Sequence, residues 1–184
     1  MDRNKALSLL KTYLKNENLI KHCLASEAVM RALALRLGAD QELWGLTGLL
    51  HDIDVELTQG EPRRHTIEAE KILSAEGLSP EIIEAVKMHN EAASGLSRKE
   101  PYHIALAAGE TMTGLIIACA LVLPDKKLSS VKVSSILKRM KDKRFAAGAS
   151  REIIMECEKI GINIEEFSQI CLKAMQDISS DLGL

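Results

Sequence analysis

An all-α bundle is the fold class this sequence predicts. Aromatic residues make up 3% of the 184 residues and proline occurs four times, whereas Ala, Leu and Ile are abundant, the composition of packed helices rather than of a sandwich or barrel. Apolar residues recur at helical spacing, as in Leu7, Leu10 and Leu14 and then Leu24, Ala28 and Leu35. With 46% hydrophobic residues, the chain is long enough to bury a core and short enough that one domain is expected.

Asn16-Glu17-Asn18 separates the first two helices, which puts His22 in the first turn of the second. Gly38-Ala39-Asp40 ends that helix, and Asp40 suits the N-cap of a helix over residues 41–51. Residues 54–64 contain Gly60-Glu61-Pro62 and no apolar stripe, so an exposed loop is expected there. Helices then follow over residues 65–75 and, with Pro80 at the first helical position, 80–90. The apolar segment 102–122 reads as a helix stopped by Pro124. Residues 104–123 carry Glu110 as their only charge and are long enough for a bilayer. A mid-segment carboxylate is costly in lipid, so a buried central helix is the expectation and no membrane span. An amphipathic pair over 151–160 and 164–182 closes the chain.

The formal charge of −2 and pI near 6.2 give no general pull toward nucleic acid or anionic membrane. Residues 125–151 are locally basic, with Lys126, Lys127, Lys132, Lys138, Arg139, Lys141, Lys143, Arg144 and Arg151 against Asp125 and Asp142. Most of these read as an exposed face, with Lys138 and Arg139 the candidates to bind a substrate phosphate. Only Phe145 adjoins the run, so aromatics to stack on bases are absent and no nucleic-acid partner is expected. Cys23, Cys119, Cys157 and Cys171 form no C-x-x-C pair and read as buried thiols. Charges interleave with the leucines of the first twenty residues, unlike a signal peptide, and a cytoplasmic location is expected.

His51-Asp52 closes the apolar run that starts at Trp44, and His22, His65, His89 and Glu110 lie beside other helical apolar faces. Imidazoles mixed with carboxylates suit iron, manganese, nickel, cobalt or zinc better than calcium. Asp54 either orients a ligand imidazole or caps the following loop. Arg63 and Arg64, directly before His65, offer paired guanidinium donors to a phosphate or are a solvated charged loop. His103 reads as a surface or helix-capping residue.

The stretch Trp44-Gly-Leu-Thr-Gly-Leu-Leu-His-Asp-Ile-Asp54, with a histidine upstream and a lone acid far downstream, resembles the HD-domain metal-dependent phosphohydrolase superfamily. The likeness spans roughly residues 20–123 and leaves 124–184 as a basic helical extension. His65, and His89 in Val86-Lys-Met-His-Asn90, resemble the six-ligand subgroup that binds two metals. Glu110-Thr-Met-Thr-Gly-Leu-Ile116, followed by the basic run, looks like a small bacterial branch of predicted HD hydrolases. The resemblance implies a compact multi-helix bundle in which His22, His51, Asp52 and Glu110 hold a first divalent ion. Asp52, His65 and His89 would hold a second, with Asp52 bridging, and the chain departs from the pattern at Glu110, where most of the superfamily has aspartate. It further implies a phosphomonoesterase or phosphodiesterase for a small nucleotide or related phosphate, using a metal-activated water, with Asp52 and Asp54 as catalytic groups. Two alternatives stand beside it: a mixed-valence di-iron oxygenase, known in the six-ligand subgroup, and a nucleotide-binding sensor or scaffold with weak turnover. An apolar helical surface would support a homodimer.

Overall fold

Short polar side chains decide where the first helices begin. Asp2 accepts from the Lys5 amide at 2.9 Å and starts α1 (Arg3–Tyr13). Asn16 accepts from the Asn18 amide at 2.9 Å and starts α2 (Glu17–Leu37). Asp40 accepts from Glu42 and Leu43 at 2.8 and 3.1 Å and starts α3 (Gln41–Leu50). Each oxygen satisfies amides that have no partner inside the helix. Gly38, at φ 69°, closes α2 in the left-handed region that glycine enters without strain, and α3 turns straight back onto α2.

The computed structural model describes residues 1–95 and 97–184. Beyond α3 come α4 (Ile67–Ala75), α5 (Pro80–His89), α6 (Glu91–Ser94), α7 (Pro101–Leu121), α8 (Val133–Met140), α9 (Arg151–Ile154), α10 (Ile164–Asp177) and α11 (Ser179–Leu182), with 3₁₀ turns at Leu128–Ser130 and Met155–Ile160. Among the described residues there is no strand, and the chain is all-α. Helix boundaries differ from the sequence reading at four places. His22 is the sixth residue of α2, α4 starts at Ile67 rather than at His65, and the two terminal helices break at Met155 and Ile178.

The pairing of α2 with α3 rests on two glycines. A Cβ on Gly48 would lie 2.6 Å from the Ser26 carbonyl oxygen, and one on Gly45 would lie 2.6 Å from the Arg31 Nε. The absence of a side chain lets the two backbones close at Gly48 and makes room for the Arg31 side chain at Gly45. A buried carboxylate then ties in α1. Glu27 accepts a forked pair from Arg3 at 2.6 and 2.9 Å and a third bond from Arg31 at 3.2 Å, while Arg31 reaches Glu42 on α3 at 2.6 Å. Forked arginine bonds satisfy a buried carboxylate that would otherwise be costly.

The predicted central helix is α7, which packs on α2, α3, α5, α8, α9 and α10. It is long and apolar enough to cross a membrane, yet 72% of its most apolar window is buried within the protein, the mark of a core helix. Its two inner glycines differ. A Cβ on Gly109 would press on Val29 and Leu33 of α2 at 3.0 and 3.3 Å, whereas one on Gly114 would meet nothing within 4 Å. Gly109 is thus explained by packing, and Gly114 carries the helical cost of glycine, about 1 kcal/mol relative to alanine, with no packing return.

These contacts predict opposite outcomes for two small substitutions. Gly48→Ala loses about 1–3 kcal/mol through overpacking against the Ser26 carbonyl, and Gly114→Ala gains about 0.5–1 kcal/mol. Urea midpoints at unchanged m-value are the measurement.

Candidate metal centre

The helix pair brings His22 and His51 together, and their outer nitrogens are already committed. His51, the C-cap of α3, is fully buried and donates from Nδ1 to the Gly48 carbonyl at 2.8 Å. His89, the last residue of α5, donates from Nδ1 to the Val86 carbonyl at 2.6 Å. His65 bonds through Nδ1 to Asp54 Oδ1 at 2.7 Å. His22 Nδ1 lies 3.1 Å from the Thr113 hydroxyl, whose own proton goes to the Glu110 carbonyl at 2.7 Å, so His22 is the donor there. Carbonyl and carboxylate partners fix the tautomer and leave all four Nε2 atoms for another occupant.

Those Nε2 atoms converge on Asp52. His22 and His51 approach each other at 3.2 Å, and His65 and His89 at 3.0 Å. Asp52 Oδ1 is 3.2 Å from His65 and 3.5 Å from both His51 and His89, and Oδ2 is 3.6 Å from His22. Two groups of three donors result, His22, His51 and Asp52, and Asp52, His65 and His89, with Asp52 in both. Imidazole nitrogens about 2.0–2.1 Å from one transition-metal ion stand about 3 Å apart, which is the spacing present here. Two facing lone pairs repel unless a proton or a metal ion lies between them, and the spacing of the donor set fits divalent metal ions. Glu110 stands further out, with Oε2 3.7 Å from His22 and Oε1 accepting from Thr111 at 2.6 Å.

Electrostatics separate the two halves. Burial drives the His51 pKa down to about 3, with Asp52 opposing and His22 and His89 assisting. Burial also works against charging His65, but the carboxylates of Asp52 and Asp54 outweigh it and raise its pKa to about 9. For Asp52 burial opposes ionisation, and the surrounding imidazoles hold it well below the usual carboxylate range. Burial pushes Glu110 upward against the pull of His22 and His89.

A family model, the HD domain, matches residues 19–121. This chain belongs to the HD-domain family. The family is one of metal-dependent hydrolases, and HD domains bind divalent metals. No solved structure matches the chain at a significant level.

In this HD domain the segment between α3 and α4 is the exposed loop that its composition predicts only in part. Ile53, Asp54 and Thr58 are buried, whereas Leu57 and the stretch from Gln59 to Arg64 are exposed. Asp54 explains the difference. Besides orienting His65, it accepts from the amides of Thr66 and Ala69 at 2.8 and 2.9 Å, so it caps α4 as well. Both roles considered for Asp54 hold at once. With no exposed surface and both oxygens occupied, Asp54 is a positioning residue and not the catalytic group expected from sequence. Thr66 sits at φ 80°, a strained backbone for a β-branched residue, and its bond to Asp54 holds it there.

Two supporting residues escaped the sequence reading. Asn90 donates to the carbonyls of Pro62 and His65 at 2.7 and 3.0 Å, tying the turn before α4 to the end of α5. Arg98, 7% exposed, donates to the carbonyls of Met88 and His89 at 3.1 and 3.3 Å and is anchored by Glu156 at 3.0 Å. The only advance signal was a polar residue or an arginine near a predicted helix end.

A cavity of about 320 Å³ opens on the His22 and Glu110 side, with Thr111 and Gly114 of α7 on one wall and residues 148–150 on the other. The covering segment is organised by Arg151, which donates to the carbonyls of Arg139, Asp142, Phe145, Ala146 and Ala149 at 2.5–3.1 Å. Arg151 is therefore buried, unlike the exposed lysines of the basic run. The substrate-binding role expected for Lys138 and Arg139 needs correction. They line a separate cleft with Cys119 and Leu123, and Cys119 lies about 13 Å along α7 from Glu110. Arg139 stacks over Phe145 at 4.2 Å. Arg63 and Arg64 are exposed, Arg64 pairs with Glu61 at 3.9 Å, and neither lines the cavity. His103 is also corrected, being 6% exposed rather than at the surface. The Tyr102 ring stacks on Trp44 of α3 at 5.0 Å and draws the start of α7, His103 included, against the bundle.

Metal binding at the two halves is expected to differ in pH dependence. Occupying the Asp52, His65 and His89 group displaces the proton that His65 holds below about pH 9. The apparent affinity of that group for Mn²⁺ therefore rises about tenfold per pH unit from pH 7 to 9 and levels off above. His51, with a pKa of about 3, has no proton to lose over that range. Calorimetric titration in buffers of different ionisation enthalpy counts the released proton. Asp54→Asn removes one of the two carboxylates that hold the His65 proton, Asp52 being the other, and is expected to reduce the proton release while weakening metal binding about 10–100-fold at that group.

Proposed function

We propose that this HD domain is a phosphohydrolase that holds two divalent ions and cleaves a small phosphate ester. One observation carries the proposal: the Asp52 carboxylate faces two imidazole groups at once, with Oδ2 toward His22 and Oδ1 toward His51, His65 and His89 at 3.2–3.6 Å. His22, His51 and Asp52 would hold the first ion, with Glu110 reaching it from α7, and Asp52, His65 and His89 the second. Such ions lower the pKa of a bound water toward neutrality and neutralise charge developing on phosphoryl oxygens. The chain's own part is to keep the donors fixed. Thr113, Gly48, Asp54 and Val86 each hold one imidazole by its outer nitrogen, so ions enter a site whose ligands need no reordering. Glu110, held by Thr111 between His22 and the cavity, is placed to accept a proton from a group in the cavity or to coordinate.

An oxygenase is the second reading, and the cavity lining favours keeping it. Among the described residues no Lys or Arg lines that cavity, so a substrate carrying little charge would also fit.

Elemental analysis of protein purified without oxygen, beside His89→Ala, tests both. The expected result is two ions per chain in the parent and one in the variant, with phosphate release reduced at least about 100-fold in the variant. Oxygen consumption without phosphate release would replace the hydrolase by the oxygenase. Two ions with neither activity would leave a binding protein.

A further inference from the structure

The cavity beside the ligands has a composition that limits what can occupy it. At about 320 Å³ it lies at the small end of ligand sites. Among the described residues its lining includes no aromatic ring on which a base could stack and no cation to meet a second phosphate. What it does present are acceptors. The Thr111 hydroxyl proton is engaged by Glu110 at 2.6 Å and the Ser150 hydroxyl proton by Glu152 at 3.2 Å; the Ser150 oxygen also accepts from the Ile153 amide at 3.3 Å, so it keeps one lone pair, and Thr111 keeps its own beside the Glu110 carboxylate. These few acceptors, set among Gly114, Gly148, Ala149 and Ile153, match a small ligand that brings hydroxyl donors on an otherwise apolar carbon frame.

Gly114 gives the second, independent observation. It interrupts a core helix where packing asks for nothing, since a Cβ there meets no atom within 4 Å, and the space it leaves open is this cavity. Gly148, on the facing wall, is equally free of contacts. We propose that the cavity receives the leaving group of a compact, hydroxyl-bearing, non-aromatic phosphate ester, of the polyol- or sugar-phosphate class, and that Gly114 sets its size limit. The proposal rests on the phosphohydrolase reading for the phosphate end of the ligand. It narrows the broader expectation of a small nucleotide.

Calorimetric binding to the manganese-loaded protein tests it without relying on turnover. The probes are glycerol 1-phosphate, adenosine 5′-monophosphate and inorganic phosphate, and the variants are Gly114→Ala, Gly114→Leu and Gly148→Leu. Glycerol 1-phosphate is expected to bind the parent at least about tenfold more tightly than the nucleotide. Each leucine variant is expected to weaken glycerol 1-phosphate at least about tenfold, with inorganic phosphate affinity and manganese content unchanged. Gly114→Ala, which adds one methyl group to the cavity wall, should weaken glycerol 1-phosphate less than Gly114→Leu does. A nucleotide bound as tightly as the polyol phosphate, or leucine variants of parental affinity, would overturn the proposal. Gly148→Leu, outside the helices, answers the question if Gly114→Leu fails to fold. Turnover of glycerol 1-phosphate is scored separately, so binding as expected with no phosphate released would sink the hydrolase reading and leave the cavity assignment intact.

Discussion

The close backbone approach of α2 to α3 at Gly48 is the constraint on which the centre depends. Ser26, the residue it touches, lies one helical turn beyond His22, and Gly48 lies one turn before His51. The spacing between those imidazoles is therefore set by main chain, which is stiffer than any side-chain contact. The Gly48 carbonyl also receives the His51 Nδ1 proton, so one residue sets both the distance between two donors and the direction of one of them.

The other half is held by longer-range means. His65 lies outside regular helix, and its place follows from Asp54, from the strained Thr66 backbone and from Asn90 reaching across from α5. His89 sits at a helix end whose carbonyls are gripped by Arg98, a residue just beyond α6 that Glu156 anchors from much later in the chain. A site built this way has one half fixed by helix packing and one half fixed by polar contacts, and the polar half is the easier to loosen.

Much of this was legible in the sequence for physical reasons. Helical periodicity and scarce aromatics foretold the all-α fold, and the caps at Asp40 and Pro80 stand where turn chemistry requires them. His22, His51, Asp52, His65, His89 and Glu110 drew notice because so few imidazoles sit beside apolar faces; the structure brings the four histidines together around Asp52 and leaves Glu110 further out, 3.7 Å from His22. The supporting residues were silent because Thr113, Asn90 and Arg98 act on groups that only folding makes neighbours. Lys138 and Arg139 misled because charge in a sequence carries no direction, and His103 because a polar residue in a first helical turn looks solvated until Tyr102 stacks on Trp44.

Arg151 holds a segment and not a ligand. Five carbonyls from Arg139 to Ala149 converge on one guanidinium with no carboxylate among these partners, and lysine, a point donor without a planar fork, has no way to span them. The segment over the cavity is thereby an all-or-none element, whole while that one side chain is seated and lost together when it is not. The fold of that segment therefore hangs on one position, while the exposed lysines around it reach none of these carbonyls.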